Sequence, residues 1–215
     1  MELDPMDVGG YSWVALGLTW NGRASEGLPV IEQALRLEPQ HAFNQYLKFL
    51  ARFRLGQTEE ARREWESVRG RDPGFGDVAL MLSMVKGDIP GARDLATERL
   101  AKWRTAKAGS MDWVNRALFC APLLLRLGMK DDALWLLRKS VDAQNPPPYD
   151  WLLLDADLQG LRGDPRFTYV LSGSRDFARI CLRHLDQARV RGELPAYLEP
   201  PLEELRHLVD RPLRE

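Results

Sequence analysis

Three prolines recur at a fixed spacing in the first third of this chain. Pro5, Pro39 and Pro73 stand 34 residues apart, and each follows an acidic residue, in the triplets LDP, LEP and RDP. The same step separates Gly22 from Gly56. A period of this length, with a proline closing each unit, is typical of helix-turn-helix repeats, in which neighbouring units stack because a single unit cannot bury its own apolar stripe. We therefore expect an all-α chain built from paired helices.

The repeated units resemble tetratricopeptide repeats. In the first unit, residues 8–41, the positions where this family has its characteristic large, small and closing residues hold Tyr11, Val14, Ala15, Leu18, Gly27, Ile31, Ala34 and Pro39. Further units are expected at 42–75, 76–104 and 113–146. The resemblance implies a superhelix of antiparallel helix pairs.

Small residues explain how the two helices of a pair would approach each other. A glycine after the first helix supplies the positive φ that ends it, and a small residue on the second helix permits close contact. The small residues are Gly27, Ala61, Ala92 and Ala133. The second unit has Gln45 and Lys48 where large apolar residues are usual, so we expect its first helix to be rotated or irregular.

The chain departs from the repeat after residue 146. We expect a proline-rich connector at 147–173, in which LDADLQGLRGDPRF resembles the tail of helical-repeat regions in bacterial transcription regulators, cyclases and protein kinases. That resemblance implies the C-terminal sensing or scaffold region of a larger regulator. Within the segment, Asp155 and Asp157 predict capping or turn chemistry, and Asp164 before Pro165 predicts a helix start.

Helices are expected again over residues 174–215. Phe177 and Ile180 belong to a helical spacing that predicts a long amphipathic helix from 174 to 191. A last helix, at about 200 to 210, is charged, as is typical of the end of a solenoid.

The N-terminal end differs from this charged end, because residues 8–22 contain no charged side chain. An exposed apolar face of several large residues needs a cover. One hypothesis is a longer protein whose earlier units cover the first helix. A second is a homodimer through Tyr11, Trp13 and Leu16, and a third is a lid formed by residues 1–9.

The sequence contains no motif of a catalytic or metal site. Glycine-rich phosphate loops, HExxH and CxxC are absent, the three histidines lie far apart, and Cys120 and Cys181 are expected as buried free thiols. We therefore expect no enzyme activity, no cofactor and no metal. A net charge of −1 argues against nucleic acid as a partner, and short apolar runs argue against a membrane. Without a visible signal peptide, the expected location is cytoplasmic.

The resemblance implies that a partner binds in a concave groove formed by the first helix of each unit. The groove residues carried over from the family are Leu16, Trp20, Phe43, Tyr46, Phe53, Arg54, Met84 and Arg126, with Ser12, Thr19, Leu50, Asp77, Met81, Asn115, Leu118 and Leu125 at further positions. Several of these, notably Leu50, Met81 and Leu118, could equally be core.

Aromatic residues, methionine and arginine favour a protein interface. The predicted function is a protein-protein interaction or assembly scaffold that binds a peptide or helix. The alternative is a small-molecule sensor whose groove is closed by the C-terminal helices, with Trp103, Trp113 or Trp151 on the pocket wall.

Overall fold

The computed structural model describes residues 6–67, 78–105, 107 and 109–211, and every regular element in these residues is a helix. The α-helices are α1 Val8–Trp20, α2 Ala24–Leu37, α3 Ala42–Arg54, α4 Thr58–Ser67, α5 Val78–Val85, α6 Ile89–Thr105, α7 Ser110–Arg126, α8 Lys130–Asp142, α9 Tyr149–Leu154, α10 Pro165–Val190 and α11 Glu199–Asp210. Short 3-10 helices lie at Ala156–Leu161 and Ala196–Leu198. Pro5, Pro73 and the predicted groove residue Asp77 lie outside the described residues.

The chain divides into two compact units. The N-terminal unit takes in Glu2–Lys107 and Leu123–Met129, and therefore contains α1 to α6 and the end of α7. The C-terminal unit takes in Ala108–Pro122 and Lys130–Glu215, and contains the first part of α7 and the helices α8 to α11.

The 34-residue register is visible in the first two helix pairs of the N-terminal unit. Both α1 and α3 are 13 residues long, and each begins 34 residues from the other. Their N-caps also correspond: the Asp7 carboxylate accepts a hydrogen bond from the Gly10 amide, and His41 Nδ1 accepts one from the Asn44 amide. Both bonds satisfy amides that have no partner within the first turn of a helix.

Each turn inside a pair uses a glycine, as predicted. Gly22 has a φ of 75° and Gly56 a φ of 71°, and Gly87 and Gly128 have the same left-handed conformation. This region is open to glycine and costly for residues with a Cβ. The glycines therefore end the first helix of a pair and allow the chain to turn back after only three residues.

Close packing of α2 on α1 depends on Gly27. A Cβ at this buried position would lie 3.1 Å from Thr19 Oγ1 and 3.2 Å from the carbonyl oxygen of Ala15. The corresponding Ala61, Ala92 and Ala133 are also fully buried. The prediction of small residues at these helix contacts is confirmed.

The second pair is regular, contrary to the expectation from Gln45 and Lys48. Helix α3 runs without interruption, and Lys48 Nζ lies 2.8 Å from Glu64 Oε1 on α4. Gln45 Nε2 donates to the carbonyl of Pro39 in the preceding turn. Polar partners thus replace the apolar contacts that are usual at these positions.

In the C-terminal unit, the long helix α10 packs against α8, α9 and α11. It begins at Pro165, earlier than position 174, and the Asp164 carboxylate caps it by accepting a hydrogen bond from the Arg166 amide. The predicted cap is therefore confirmed, whereas the predicted start at 174 is wrong. The region expected to be a connector contains α9, a 3-10 helix and the first turns of α10.

The buried face of α10 differs from the one predicted from Phe177 and Ile180. Phe177 and Ile180 are exposed, and the buried positions are Ser174, Ala178 and Leu182, together with Phe167 and Val170. At Gly173 a Cβ would lie 2.5 Å from Val141 Cγ1 of α8. A residue without a Cβ is favoured at position 173 because α8 approaches closely there.

The carboxylate of Asp155 is buried in the turn before α10. It accepts hydrogen bonds from Trp151 Nε1 and from the Asp157 amide, both at 2.9 Å. These bonds compensate for the loss of water around the carboxylate. The capping role predicted for Asp155 is confirmed.

Candidate interaction surface

The predicted groove residues divide into a buried set and a surface set. Leu16, Tyr46 and Phe53 are buried, as are Leu50, Met81 and Leu118. Side chains in these positions stabilise the chain by removing apolar area from water, and they offer little surface to a partner. They are core residues in this chain, which is the alternative that the sequence left open for several groove positions.

The remaining groove residues reach the surface to different degrees. Trp20, Phe43, Arg54 and Met84 are half-buried, and Arg126 is exposed. Ser12 and Thr19 are buried, and the Thr19 hydroxyl donates to the carbonyl of Ala15 within its own helix.

Arg126 is held against the end of α3. Its guanidinium carbon lies 4.8 Å from the centroid of the Phe53 ring, and Nη1 donates to the Phe53 carbonyl at 3.5 Å. A cation is favourable there because the last carbonyls of a helix carry partial negative charge. This contact gives Arg126 a structural role in the N-terminal unit and does not favour capture of a peptide carboxylate.

Among the described residues of the N-terminal unit, the most exposed aromatic side chain is on α1. Trp13 is 69% exposed, and Met6, just before the helix, is 73% exposed. Because residues 8–22 include no charge, this face of α1 meets water with apolar atoms and backbone. Single exposed apolar residues are common on proteins, but a tryptophan on an uncharged helix is a favourable contact point for another protein.

Trp13 is the outer member of a row of three aromatic rings. Its ring centroid lies 6.1 Å from that of Phe43 with an interplanar angle of 57°, and Phe43 stacks on Tyr46 at 6.3 Å and 19°. These separations are within the range of favourable aromatic pairs. Tyr46 at the inner end of the row is buried, so the exposed Trp13 indole packs against rings that the core holds in place.

A buried polar contact beside this row joins α1 to α3. Ser12 Oγ lies 2.6 Å from Asn44 Oδ1 and 2.8 Å from the carbonyl of Val8, and both side chains are buried. Asn44 Nδ2 has no hydrogen-bond partner among the described residues. The hydroxyl has one hydrogen, so it donates to one of the two oxygens at a time.

The predicted self-association residues do not share one face. Leu16 is buried and Tyr11 is half-buried, whereas Trp13 is exposed. Tyr11 lies two residues from Trp13, a spacing that places side chains on different sides of a helix. Of the three residues, Trp13 is the exposed one, and Leu16 belongs to the core.

Helix α1 also has two glycines near Trp13 that the sequence analysis did not select as site residues. Gly9 and Gly17 lie four residues before and after Trp13, and a Cβ placed at Gly17 would meet no described heavy atom within 4 Å apart from its chain neighbours and the backbone of its own helix. The signal that could have identified them is the repeat register, which assigns each position of α1 a counterpart in α3.

The three tryptophans predicted for a pocket wall have different surroundings. Trp151 is buried and hydrogen-bonded to Asp155. Trp113 makes an edge contact with Trp135 at 5.8 Å and lies under the guanidinium of Arg116. Trp103 is half-buried on α6.

No protein-family model, curated protein or solved structure matches this chain. Within residues 6–67, 78–105 and 109–211, histidine, cysteine and carboxylate side chains do not gather into a group of three or more that could hold a metal ion. In the same part of the chain, no helix is both long enough and apolar enough to cross a membrane. Cys120 and Cys181 are both free thiols, as predicted; the burial expected for both is found for Cys120, whereas Cys181 is half-buried.

Proposed function

We propose that this protein is a helical-repeat module that binds another protein, with the face of α1 around Trp13 as its contact point. The single observation that carries the proposal is the 69% exposure of Trp13 on a helix with no charged residue. Burying an indole of this kind supplies a large contact area at a small cost in side-chain entropy.

We also propose that the helix pairs of the N-terminal unit stack in the manner of tetratricopeptide repeats. Support comes from the equal lengths and matching caps of α1 and α3, and from the left-handed glycines that end the first helix of each pair. In that arrangement the half-buried Trp20, Phe43, Arg54 and Met84 extend the contact surface for a peptide or helix. The role in a larger bacterial regulator remains part of this proposal.

Site-specific photocrosslinking in the cells that make the protein tests the proposed function. The photoreactive residue p-benzoyl-phenylalanine replaces Trp13 in one variant and Met111 in a matched control, because Met111 is also a large apolar residue and is 63% exposed. After irradiation, denaturing gels and mass spectrometry identify the adducts. We expect a discrete polypeptide adduct from position 13 and none from position 111.

The possible outcomes separate the hypotheses. An adduct with a different protein supports the proposed function and names the partner. An adduct between two copies also supports protein binding, and identifies the partner as the chain itself. If position 13 produces no polypeptide adduct, or the same adducts as position 111, the proposal is wrong.

A further inference from the structure

We infer that the C-terminal unit binds a phosphate group between Tyr149 of α9 and the side chains of Arg175 and Arg179 on α10. This inference goes beyond the proposed contact at Trp13, since it concerns other helices and a different kind of ligand. The observations that carry it are the position of the two arginines beside a buried tyrosine, a buried guanidinium nitrogen without a partner, and the positive charge around the tyrosine hydroxyl.

Packing of α9 on α10 places Tyr149 next to both arginines. Tyr149 is 3% exposed and belongs to a buried cluster with Ala178 and Leu182 of α10. Arg175 and Arg179 each lie three residues before one of these two α10 positions. Residues three apart are neighbours on the surface of a helix. The two arginines therefore border the part of α10 on which the tyrosine packs.

Arg175 has a buried donor that the described residues leave unpaired. The side chain is half-buried, and its Nε is shielded from water without a hydrogen-bond partner among those residues. A buried N–H group without an acceptor costs free energy, because burial removes its hydrogen bonds to water. A ligand oxygen that accepts from this nitrogen restores the lost bond.

Arg179 is held only by an ion pair at the surface. Its Nη1 lies 3.3 Å from Asp176 Oδ1, and the side chain of Asp176 is 67% exposed. Exposed pairs of this kind contribute little, because water screens the charges. A guanidinium has five N–H donors, so this single contact leaves donors of Arg179 for a second anion.

The charges that act on the Tyr149 hydroxyl come from the same two arginines. Burial raises the pKa of Tyr149, and Arg175 and Arg179 oppose that rise; carboxylates of the described chain do not contribute to the shift. The phenol therefore stays protonated at neutral pH and remains a hydrogen-bond donor. An anion beside it meets one neutral donor and two positive charges.

A phosphate group matches this arrangement better than a carboxylate does. Near neutral pH it has close to two negative charges and three acceptor oxygens, which equal the two guanidiniums in charge and the three side chains in number. The planar guanidinium also fits phosphate oxygens with paired N–H donors. The ligand is either free phosphate or the phosphate monoester of a small molecule, because both present the same oxygens.

Isothermal titration calorimetry of the full chain tests the inference, at constant ionic strength and about pH 8, where a phosphate monoester is almost fully ionised. The probes are inorganic phosphate, glycerol phosphate and acetate. We expect saturable binding of the phosphates at one site per chain and at least roughly tenfold weaker binding of acetate. Tighter binding of glycerol phosphate than of inorganic phosphate identifies a monoester as the ligand, and the reverse order identifies free phosphate.

Removal of one guanidinium should weaken phosphate binding strongly. Arg179→Gln should raise the dissociation constant by roughly tenfold or more, as for the loss of a charge-assisted hydrogen bond. Arg183→Gln is the matched control, because it removes the same charge one turn further along α10, where the side chain is exposed. We expect this control to bind phosphate like the wild type.

A second variant keeps the test decisive if Arg179→Gln fails to fold. Tyr149→Phe keeps the buried ring and removes only the hydroxyl, so circular dichroism should show a normally folded chain. The phosphate then loses a neutral donor, and we expect binding to be weaker by roughly tenfold.

Four results would overturn the inference. They are the absence of saturable binding of either phosphate, acetate binding as tight as phosphate binding, equal effects of Arg179→Gln and Arg183→Gln, and wild-type affinity in Tyr149→Phe. Equal effects of the two arginine variants would mean that phosphate is attracted by the general charge of α10 and not bound at Tyr149.

Discussion

A pair of glycine-to-alanine substitutions on adjacent helices provides a direct test of how α1 and α2 pack. Gly27 of α2 and Gly17 of α1 are both helical, and replacing either by alanine improves intrinsic helix propensity by about 1 kcal/mol. Their surroundings differ. The new methyl group at Gly17 enters open space, whereas at Gly27 it lies 3.1 Å from Thr19 Oγ1 and 3.2 Å from the Ala15 carbonyl oxygen.

The contacts at Gly27 cannot easily move away. One is backbone, and the other is a hydroxyl held at 2.8 Å by its own hydrogen bond to that same carbonyl. Extra volume in a packed contact costs about 1–3 kcal/mol. After subtracting the gain in helix propensity, we expect Gly27→Ala to be about 1 kcal/mol less stable than the wild type, while Gly17→Ala should be about 1 kcal/mol more stable.

Urea unfolding followed by circular dichroism measures both changes. The expected gap of about 2 kcal/mol corresponds to roughly 4–8 °C in the unfolding temperature of a chain of this length. If Gly27→Ala proves as stable as Gly17→Ala, α2 does not pack on α1 as closely as described.

Three further predictions concern other parts of the molecule. A hydrogen bond from the Arg166 guanidinium holds the pKa of the Asp164 carboxyl well below its usual range, so this carboxylate stabilises the fold above its unfolded pKa of about 4, and the stabilisation is lost as the pH falls towards the folded pKa. The urea midpoints of the wild type and Asp164→Asn should therefore differ at pH 7 and converge as the pH is lowered. Ser12→Ala removes the hydroxyl that donates to the buried Asn44 Oδ1 and should lower the free energy of unfolding by roughly 1–3 kcal/mol. The same change in an Asn44→Ala background should cost less, and additive costs in a double-mutant cycle would contradict the contact. Gly173→Ala places a methyl group 2.5 Å from Val141 Cγ1; the packing cost of about 1–3 kcal/mol exceeds or offsets the gain of about 1 kcal/mol in helix propensity, so we expect a loss of up to about 2 kcal/mol in the same urea assay, and a gain in stability would contradict the close packing of α8 on α10.

Local features of the fold could be predicted because they depend on chemistry within a few residues. The left-handed turns at Gly22 and Gly56 and the cap at Asp164 follow from the conformational freedom of glycine and the hydrogen bonding of a carboxylate. The helix starting at Pro165 follows from the fixed φ of proline. No distant contact is needed for any of these.

The buried face of a helix depends on its neighbours, and there the sequence was a weaker guide. Phe177 and Ile180 follow a helical spacing, yet they are exposed, whereas Ala178 and Leu182 lie in a buried cluster with Tyr149 of α9 and with Leu202 and Val209 of α11. Large apolar side chains favour burial only where the facing element leaves room for them. A spacing pattern contains no information about the facing element.

The same limit explains why the candidate site could be predicted only in part. Leu47 and Trp13 occupy equivalent positions of one repeat register, but Leu47 is fully buried and Trp13 is 69% exposed. The difference lies in what packs on each helix, since α1 and α2 cover α3 and no described residue covers Trp13 to a similar extent. Equivalent positions of one repeat register therefore predict the same local helix, but they do not predict which of the equivalent side chains is buried.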